Sequence, residues 1–366
     1  MRILHIHHSL TIGGIESFLC ALMNEQARYN SVSFCTWVDG EEAKDSRLST
    51  YIQRLSLHNK SVSKKYKVLN EFRLLFLIAR GGYDVVHLHG AFDYYLLSIL
   101  FLHRRTRFVY TIHSAPHVEN QRVRHLILSI KRLFFSRRWI VPVILSESFQ
   151  SEFKGLYSCE AYVIENGLPK LQVNKDYSLP IHSPCGPLTR VFVHVGRICE
   201  VKNQVVLVKV FDRLIKEGED ILLFIVGPVS DQTLFSIINS YLSERIVYLG
   251  PSNDVPSVLA KADAMCLPSI VEGFPISVIE ALNVGCIPIC SPVGGVKDII
   301  QDGKTGFLAQ SSSEDDYYLA VRRFLQCDGS HLAIIRENMA AASEMFSISR
   351  TRLRYDYLYG CNIDEL

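Results

Sequence analysis

Short apolar runs alternate with longer amphipathic stretches from the first residues onward. Arg2 to His7 reads as a buried strand, Gly13-Gly14 breaks it off, and Ile15 to Tyr29 has helical spacing. Phe34 to Val38, Val85 to Leu88, Phe108 to Ile112, Trp139 to Leu145 and Ala161 to Ile164 are further apolar runs, with helical segments such as Asn70 to Arg80 and Ser146 to Lys154 between them. Strands buried on both faces lose the alternation of a half-exposed strand and read as continuous apolar runs. Their interleaving with helices predicts an α/β fold with parallel sheets.

The pattern then stops and starts again. Gln172 to Leu188 is polar, carries prolines and has no period, which predicts a linker. Arg190 to Val195 is a new strand ending at Gly196, followed by a helix over Asn203 to Lys216 and the strand Ile221 to Val226. Ile246 to Tyr248, Ala264 to Leu267 and Ile287 to Cys290 are further strands, and Ser349 to Leu358 is a last helix. A chain of 366 residues is too long for one ordinary core and fits two domains. The predicted organisation is residues 1–171, a linker at 172–188, residues 189–346, and a terminal segment 347–366 that crosses back to the first domain.

Composition changes this picture little. An apolar fraction of 48% and a charged fraction of 21% exclude a disordered chain. Ten cysteines without a CxxC pair predict reduced, mostly buried thiols, and Cys286 and Cys290 have no neighbours that complete a metal site. The start MRILHIHHSL lacks the apolar core of a signal peptide and no run approaches a membrane span, so the expectation is a cytoplasmic protein. Charge is more informative. Residues 1–170 carry 22 Lys and Arg against 14 Asp and Glu, while the remainder carries 17 against 23. Arg122, Arg124, Lys131, Arg132, Arg137 and Arg138 interleave with Leu126, Ile127, Leu128, Ile130, Leu133, Phe134 and Phe135. Two readings stand: a basic amphipathic helix resting peripherally on an anionic membrane, or an ordinary helix with a solvated basic side. No nucleic-acid-reading module accompanies the basic residues, and nucleic acid is not an expected partner.

The richest stretch for chemistry is Pro268 to Ile289. A strand ends near Leu267, a loop carries Glu272-Gly273-Phe274-Pro275, and a helix starts at Ile276 with proline where its missing N–H is harmless. The free amides of this helix start, including Ile276 and Ser277, suit a diphosphate. Gly273 allows close backbone approach to a ligand. Glu272 and Glu280 read either as contacts to a sugar and a ribose hydroxyl pair, or as a loop charge and a solvated helix residue.

EGFPISVIE resembles the Glu-x7-Glu motif of retaining GT-B glycosyltransferases, specifically glycosyltransferase family four. VHVGRICEVKNQ (Val193 to Gln204) resembles the family's Gly-Arg-x4-Lys stretch, with Arg197 and Lys202 in the phosphate-binding positions. SPVGGVKDIIQDGKTGFL (Ser291 to Leu308) resembles the segment that closes the donor pocket, with Asp298 where glutamate is common. IGGIE (Ile12 to Glu16) matches the Gly-Gly-x-Glu loop, placing Gly13 and Gly14 near the donor phosphates. VIENGL (Val163 to Leu168) resembles the boundary before the linker. TIHSAP (Thr111 to Pro116) puts His113 where the family keeps a histidine facing the donor sugar, with Ser114 where an aspartate is frequent. The resemblance implies two facing Rossmann-like domains with a deep cleft between them. It also implies retaining transfer of a hexose-type sugar from a nucleotide-diphosphate sugar to a saccharide or polyprenyl-linked acceptor.

The chemistry asked of these residues fits their types. Breaking a sugar–phosphate bond leaves negative charge on the diphosphate, which Arg197 and Lys202 are suited to receive. As two like charges at one site, they predict that removing either leaves stability unharmed. No D-x-D occurs in the sequence, so no metal cofactor is expected. Gly13-Gly14 mimics half a dinucleotide fingerprint, but G-x-G-x-x-G is absent and a dehydrogenase is not supported. His5, His7, His8, His87 and His89 lack a third metal ligand at standard spacing and read as cleft-lining or core histidines. The rival functions are a nucleotide-sugar epimerase or hydrolase of the same fold, and a non-catalytic nucleotide-sugar-binding protein.

Overall fold

The computed structural model describes residues 1–8, 10, 13–37, 47–57, 67–90, 92, 95–120, 125–180, 186 and 189–360. Val38, Ile12, Arg122 and Arg124 of the sequence expectations lie outside the described residues. The chain forms two compact units, Met1–Pro169 with the chain from Ile348 onward, and Lys170–Ser347.

The first unit holds a seven-stranded sheet: β1 (Arg2–His7), β2 (Ser31–Thr36), β3 (Gln53–Ser56), β4 (Val85–His89), β5 (Arg107–Ile112), β6 (Val141–Ile144) and β7 (Tyr162–Val163). Every described pair is parallel, in the order β3-β2-β1-β4-β5-β6-β7. Order therefore reverses between β1 and β4, the place where open α/β sheets offer their strand ends to ligands. Register sets His5 beside His87 and His7 beside His89, and places Thr111 next to His89. The terminal helix Ile348–Gly360 belongs to this unit and packs on the helix Gly14–Gln26. It is fastened by Ser349 Oγ to Glu25 at 2.9 Å and by Thr351 Oγ1 to the Glu165 carbonyl at 3.1 Å.

The basic segment takes a form the sequence did not suggest. The helix His125–Ser136 exposes Arg132 and Leu133, but Lys131 is only 1% exposed. Its Nζ is ion-paired with Glu119 and stands 4.8 Å from the Tyr110 ring centre, 5.3 Å from Phe92 and 5.6 Å from Tyr157. Burial opposes its charge, yet the Glu119 carboxylate outweighs that and holds its pKa above the usual lysine value. Lys131 is thus a core residue and no part of a basic face, because an aromatic cage and one carboxylate replace its water.

The second unit repeats the plan with six parallel strands: β8 (Arg190–Val195), β9 (Ile221–Val226), β10 (Ile246–Gly250), β11 (Ala264–Leu267), β12 (Ile287–Cys290) and β13 (Phe307–Leu308). Their order is β10-β9-β8-β11-β12-β13, so the reversal lies between β8 and β11. The backbone amide of Asn174 donates to Ser257 Oγ at 2.8 Å, tying the start of the polar stretch to this unit. Among the described residues no helix is long and apolar enough to cross a membrane.

Candidate active site

The loop after β8 is shaped by two glycines. Gly227 has φ +145, and a Cβ there would overlap the Gly196 carbonyl, so the two turns nest only while residue 227 has no side chain. The chain leaves Gly196 through Arg197, makes the short 3-10 turn Glu200–Lys202, and enters the helix Gln204–Lys216 through Asn203 in the left-handed region at φ +56. Asn203 Nδ2 donates to the carbonyls of Pro268 and Ser312, and Gln204 Nε2 donates to the Arg197 carbonyl at 2.8 Å. These bonds hold the loop against the end of β11. Arg197 is exposed and meets no carboxylate among the described residues.

Lys202 is placed differently. Its Nζ donates to Glu272 Oε1 at 2.6 Å, and Ser269 Oγ donates to the same oxygen at 2.6 Å. Glu272 is only 8% exposed, so this carboxylate exchanges water for a cation and a hydroxyl. Lys202 is therefore no unpaired like charge beside Arg197, the premise on which its loss was expected to leave stability unharmed. Its charge is neutralised by Glu272, and removing it strands a buried carboxylate.

Gly294 and Gly295 press on the next segment. A Cβ on Gly294, whose φ is +52, would overlap the Glu272 carbonyl, and one on Gly295 would meet the Gly273 carbonyl and the Phe274 ring. The Gly295 amide donates to the Gly273 carbonyl at 2.8 Å. Phe274 is buried against Phe346, with ring centres 5.7 Å apart. Pro275 caps the helix Ile276–Val284 from an extended conformation without a side-chain acceptor, leaving its first amides uncapped by any side chain. Glu280, one turn in, is half-buried and has no hydrogen-bonding or ionic partner among the described residues. Burial pushes its carboxyl up to about 7. It is therefore no solvated helix residue. Arg197, Lys202, Glu272, Gly273, Phe274, Pro275, Ile276, Ser277 and Glu280 all belong to the second unit, on the loops and helix start at its sheet's strand ends.

Gly13, Gly14 and His113 belong to the first unit. Gly13 precedes the helix Gly14–Gln26 in fully extended conformation, with no side-chain cap. His113 follows β5; its Nε2 lies 3.0 Å from His89 Nδ1, and its buried Nδ1 has no partner among the described residues. Burial pulls its pKa down to about 3, with His7 lowering and Glu16 raising it, so the ring is neutral. Sequence reasoning missed the groups behind it: His89 meets His5, and His5 Nε2 lies 2.7 Å from Gln26 Oε1. The alternating His5/His7 and His87/His89 pairs were visible, but their meeting depends on which strands are neighbours. Ser269 carried no signal at all.

Two family models match the chain. Glycosyltransferase Family 4 matches residues 12–169, and Glycosyl transferases group 1 matches residues 188–343, the unit that holds Lys202, Glu272 and Glu280. This chain is a member of the group 1 glycosyltransferases. It is 24% identical to the N-acetyl-alpha-D-glucosaminyl L-malate synthase of Bacillus anthracis over 51% of this chain and 48% of that protein. It is 27% identical to a glycogen synthase of Thermodesulfovibrio yellowstonii over 48% of this chain and 36% of that one. The chain thus spans half or less of the length of these curated relatives. The match with a capsular polysaccharide biosynthesis glycosyltransferase of Staphylococcus aureus is longer, 25% identical over 80% of this chain and 82% of that protein. Among solved structures, this group 1 member shares the GT-B fold of an Anabaena protein crystallised with UDP and glucose, at TM-score 0.76, 17% identity and 100% of both chains. Sucrose-phosphate synthase of Thermosynechococcus elongatus superposes at TM-score 0.80 with 17% identity over 98% of each chain.

Proposed function

We propose that this chain is a retaining glycosyltransferase that moves a hexose-type sugar from a nucleotide-diphosphate sugar to a saccharide or lipid-linked saccharide, in polysaccharide or glycoconjugate assembly. The observation that carries the reading is the Lys202–Glu272 pair, anchored by Ser269, beside a helix start with uncapped amides and a Glu280 that has no partner among the described residues. The amides of Ile276 and Ser277 receive the diphosphate, with Arg197 and Lys202 as its cations. Glu280 accepts hydrogen bonds from the ribose hydroxyl pair. As the sugar–phosphate bond breaks, negative charge grows on the departing oxygen and Lys202 answers it. Glu272 holds that ammonium in place and borders the sugar, and His113 is read as a further sugar contact. Retention follows from the leaving phosphate receiving the acceptor's proton on the face it departs. With two cations and a helix dipole on the diphosphate, transfer needs no divalent metal. The relatives that act on undecaprenol-linked sugars and in capsule biosynthesis support a saccharide or polyprenyl-linked acceptor.

The test begins with thermal melts against UDP, GDP and their sugars, because a ligand of the native state raises Tm by mass action. The donor found is then incubated with lipid-linked and free saccharide acceptors in EDTA. Anomer-retained product is the expected result. Release of free sugar or an epimer from donor alone at the full rate would favour the hydrolase or epimerase reading. Activity lost in EDTA and restored by manganese overturns the metal-free reading.

A further inference from the structure

Three buried histidines of the first unit and the half-buried His113 form a continuous network. His5 and His87 are fully buried on adjacent strands, as is His89, and their rings stack or tilt at 4.0 to 5.4 Å between centres. The ligand atoms of these three approach within 4.8 Å of one another, which is a metal-like grouping. Their hydrogen bonds argue for another role. All six ring nitrogens already have a partner at 2.6 to 3.1 Å: Gln26, His89 and His5, His113, Tyr359 and Thr111. A metal would break several of these bonds, and among the described residues no carboxylate joins the three rings to offset its charge.

The bonds have a direction. Gln26 Oε1 can only accept, so His5 carries its proton on Nε2 and leaves Nδ1 as an acceptor. His89 must then donate from Nε2 to His5 at 3.1 Å, which leaves its own Nδ1 bare. His113 in turn donates from Nε2 to His89 at 3.0 Å. Each ring is neutral, so each has one proton, and the orientation of one amide decides three tautomers. At the end of the line stands His113 Nδ1, buried, unprotonated and without a partner. The Gln26 amide is itself oriented by Tyr359, whose hydroxyl lies 3.5 Å from Gln26 Nε2 and donates to His87 Nδ1 at 2.6 Å.

We infer that Gln26 and His5, acting through His89, are positioning residues that fix His113 as the Nε2–H tautomer, so that its Nδ1 presents a hydrogen-bond acceptor to a hydroxyl of the transferred sugar. The role of His113 as a sugar contact rests on the function proposed above; the line behind it does not. Without an acceptor at Gln26, reversing the line relieves a buried, unpaired His5 N–H, and His113 then presents an N–H instead. Such a donor competes with the sugar hydroxyl that would otherwise give its proton.

Histidine 15N NMR of the ligand-free protein reads the tautomers directly. In the wild type His5, His89 and His113 should all be Nε2–H. Gln26→Met should turn His113 to Nδ1–H and lower kcat about 10-fold, the worth of one mismatched hydrogen bond, with nucleoside diphosphate affinity unchanged. Gln26→Glu keeps the acceptor and should restore both tautomer and kcat. Thr351→Val loses the bond to the Glu165 carbonyl without touching the line, and should lower Tm while leaving the His113 tautomer and kcat alone. An Nδ1–H His113 in the wild type, a tautomer deaf to Gln26→Met, or stoichiometric zinc in the purified protein overturns the proposal. So does a tautomer that flips while kcat holds. If no donor binds or transfers with the wild type, the functional reading fails first and the positioning role falls with it. If Gln26→Met does not fold, His5→Leu, which removes the acceptor of the His89 Nε2 proton, takes its place and should likewise turn His113 to Nδ1–H.

Discussion

The two sheets reverse strand order in the same way, yet their strand ends are furnished oppositely. In the first unit the switch point between β1 and β4 carries three buried histidines and half-buried His113, all neutral, each nitrogen hydrogen-bonded among the described residues except one at the end of the line. In the second, the ends of β8 and β11 carry ions: Arg197 in solvent, Lys202 paired with Glu272, and Glu280 with no partner among the described residues. Imidazoles can be buried whole because each gives and takes one proton without carrying charge. Carboxylates and ammonium groups need a partner for that, as Lys131 has in Glu119, and the buried ones here are either paired or perturbed. A neutral edge suits orientation of hydroxyls, whereas a charged edge suits a diphosphate.

The first consequence is that acid strips stability from the buried histidines of the first unit. Burial holds His5 at about 4 and His113 at about 3, with His87 and His89 also lowered, against an ordinary value of 6.5. The unfolded chain therefore binds more protons between those values. Stability is complete above pH 6.5 and is lost as pH falls toward 4, by roughly 3 kcal/mol for His5 alone. The other titratable groups facing the cluster are His7 and Glu16, with Tyr355 and Tyr359 from the terminal helix, whose hydroxyls burial keeps neutral. Only Glu16 could offset a proton gained there, and it is a single carboxylate facing several imidazoles. Thermal melts from pH 4 to 8 should show this limb, and His5→Gln should flatten it. A limb of unchanged slope in that variant would remove the histidines from the account.

Next in size is Lys202→Ala. The lost cation should lower turnover about 30- to 1000-fold, by analogy with a lost oxyanion donor. The stranded Glu272 should cost roughly 1–3 kcal/mol of stability as well. Adding Glu272→Gln should recover the melt but not the rate. Arg197→Ala, from an exposed position, should lose rate while its melt stays put. If Lys202→Ala melts like the wild type, the pair is not the anchor described; if the double variant regains turnover, Lys202 has no part in transfer.

Much of this was legible beforehand, and the omissions have physical causes. Long apolar runs revealed the central strands, and the motif around Glu272 located the loop and helix start to within a residue. The edge strands β3 and β13 are only four and two residues long, so nothing separated them from loops. Lys131 misled because a basic residue in an amphipathic stretch is counted as solvated, and its partner Glu119 lies twelve residues away with no helical register to join them. The ion pair of Lys202 with Glu272 spans seventy residues, and the histidine line joins three strands and a helix. Pairings of this kind depend on strand order, which no local spacing encodes.

Glu280 sharpens the contrast at the next level down. Its carboxyl stands at about 7 because burial disfavours the charge, against 4.5 when unfolded. The folded state thus binds more protons between those values. Its contribution is full below pH 4.5 and is lost as pH rises through 7, by roughly 3 kcal/mol. Glu280→Gln should therefore raise the ligand-free Tm at pH 8 and leave it little changed at pH 5. The same change should weaken nucleoside diphosphate binding, because the ribose loses a charged acceptor, with kcat much less affected. A variant that binds normally would release Glu280 from the donor site.

The smallest expected effect concerns the outer surface of the first unit, where charge returns. With Lys131 in the core, the helix His125–Ser136 offers Leu126 and Leu133 to solvent beside Arg132, and Arg137 and Arg138 follow it. Two exposed leucines seven residues apart lie on one helix face, and the arginines flank it. Each arginine near anionic lipid contributes about 1 kcal/mol, and salt screens it. Flotation with phosphatidylglycerol vesicles should accordingly decline as salt rises, and Arg132→Glu with Arg137→Glu should reduce it further. Lys131→Met should leave flotation alone, since that charge faces Glu119, while lowering the melt. Flotation indifferent to salt and to both arginines would leave this helix as an ordinary wall of the first unit, basic on its wet side only.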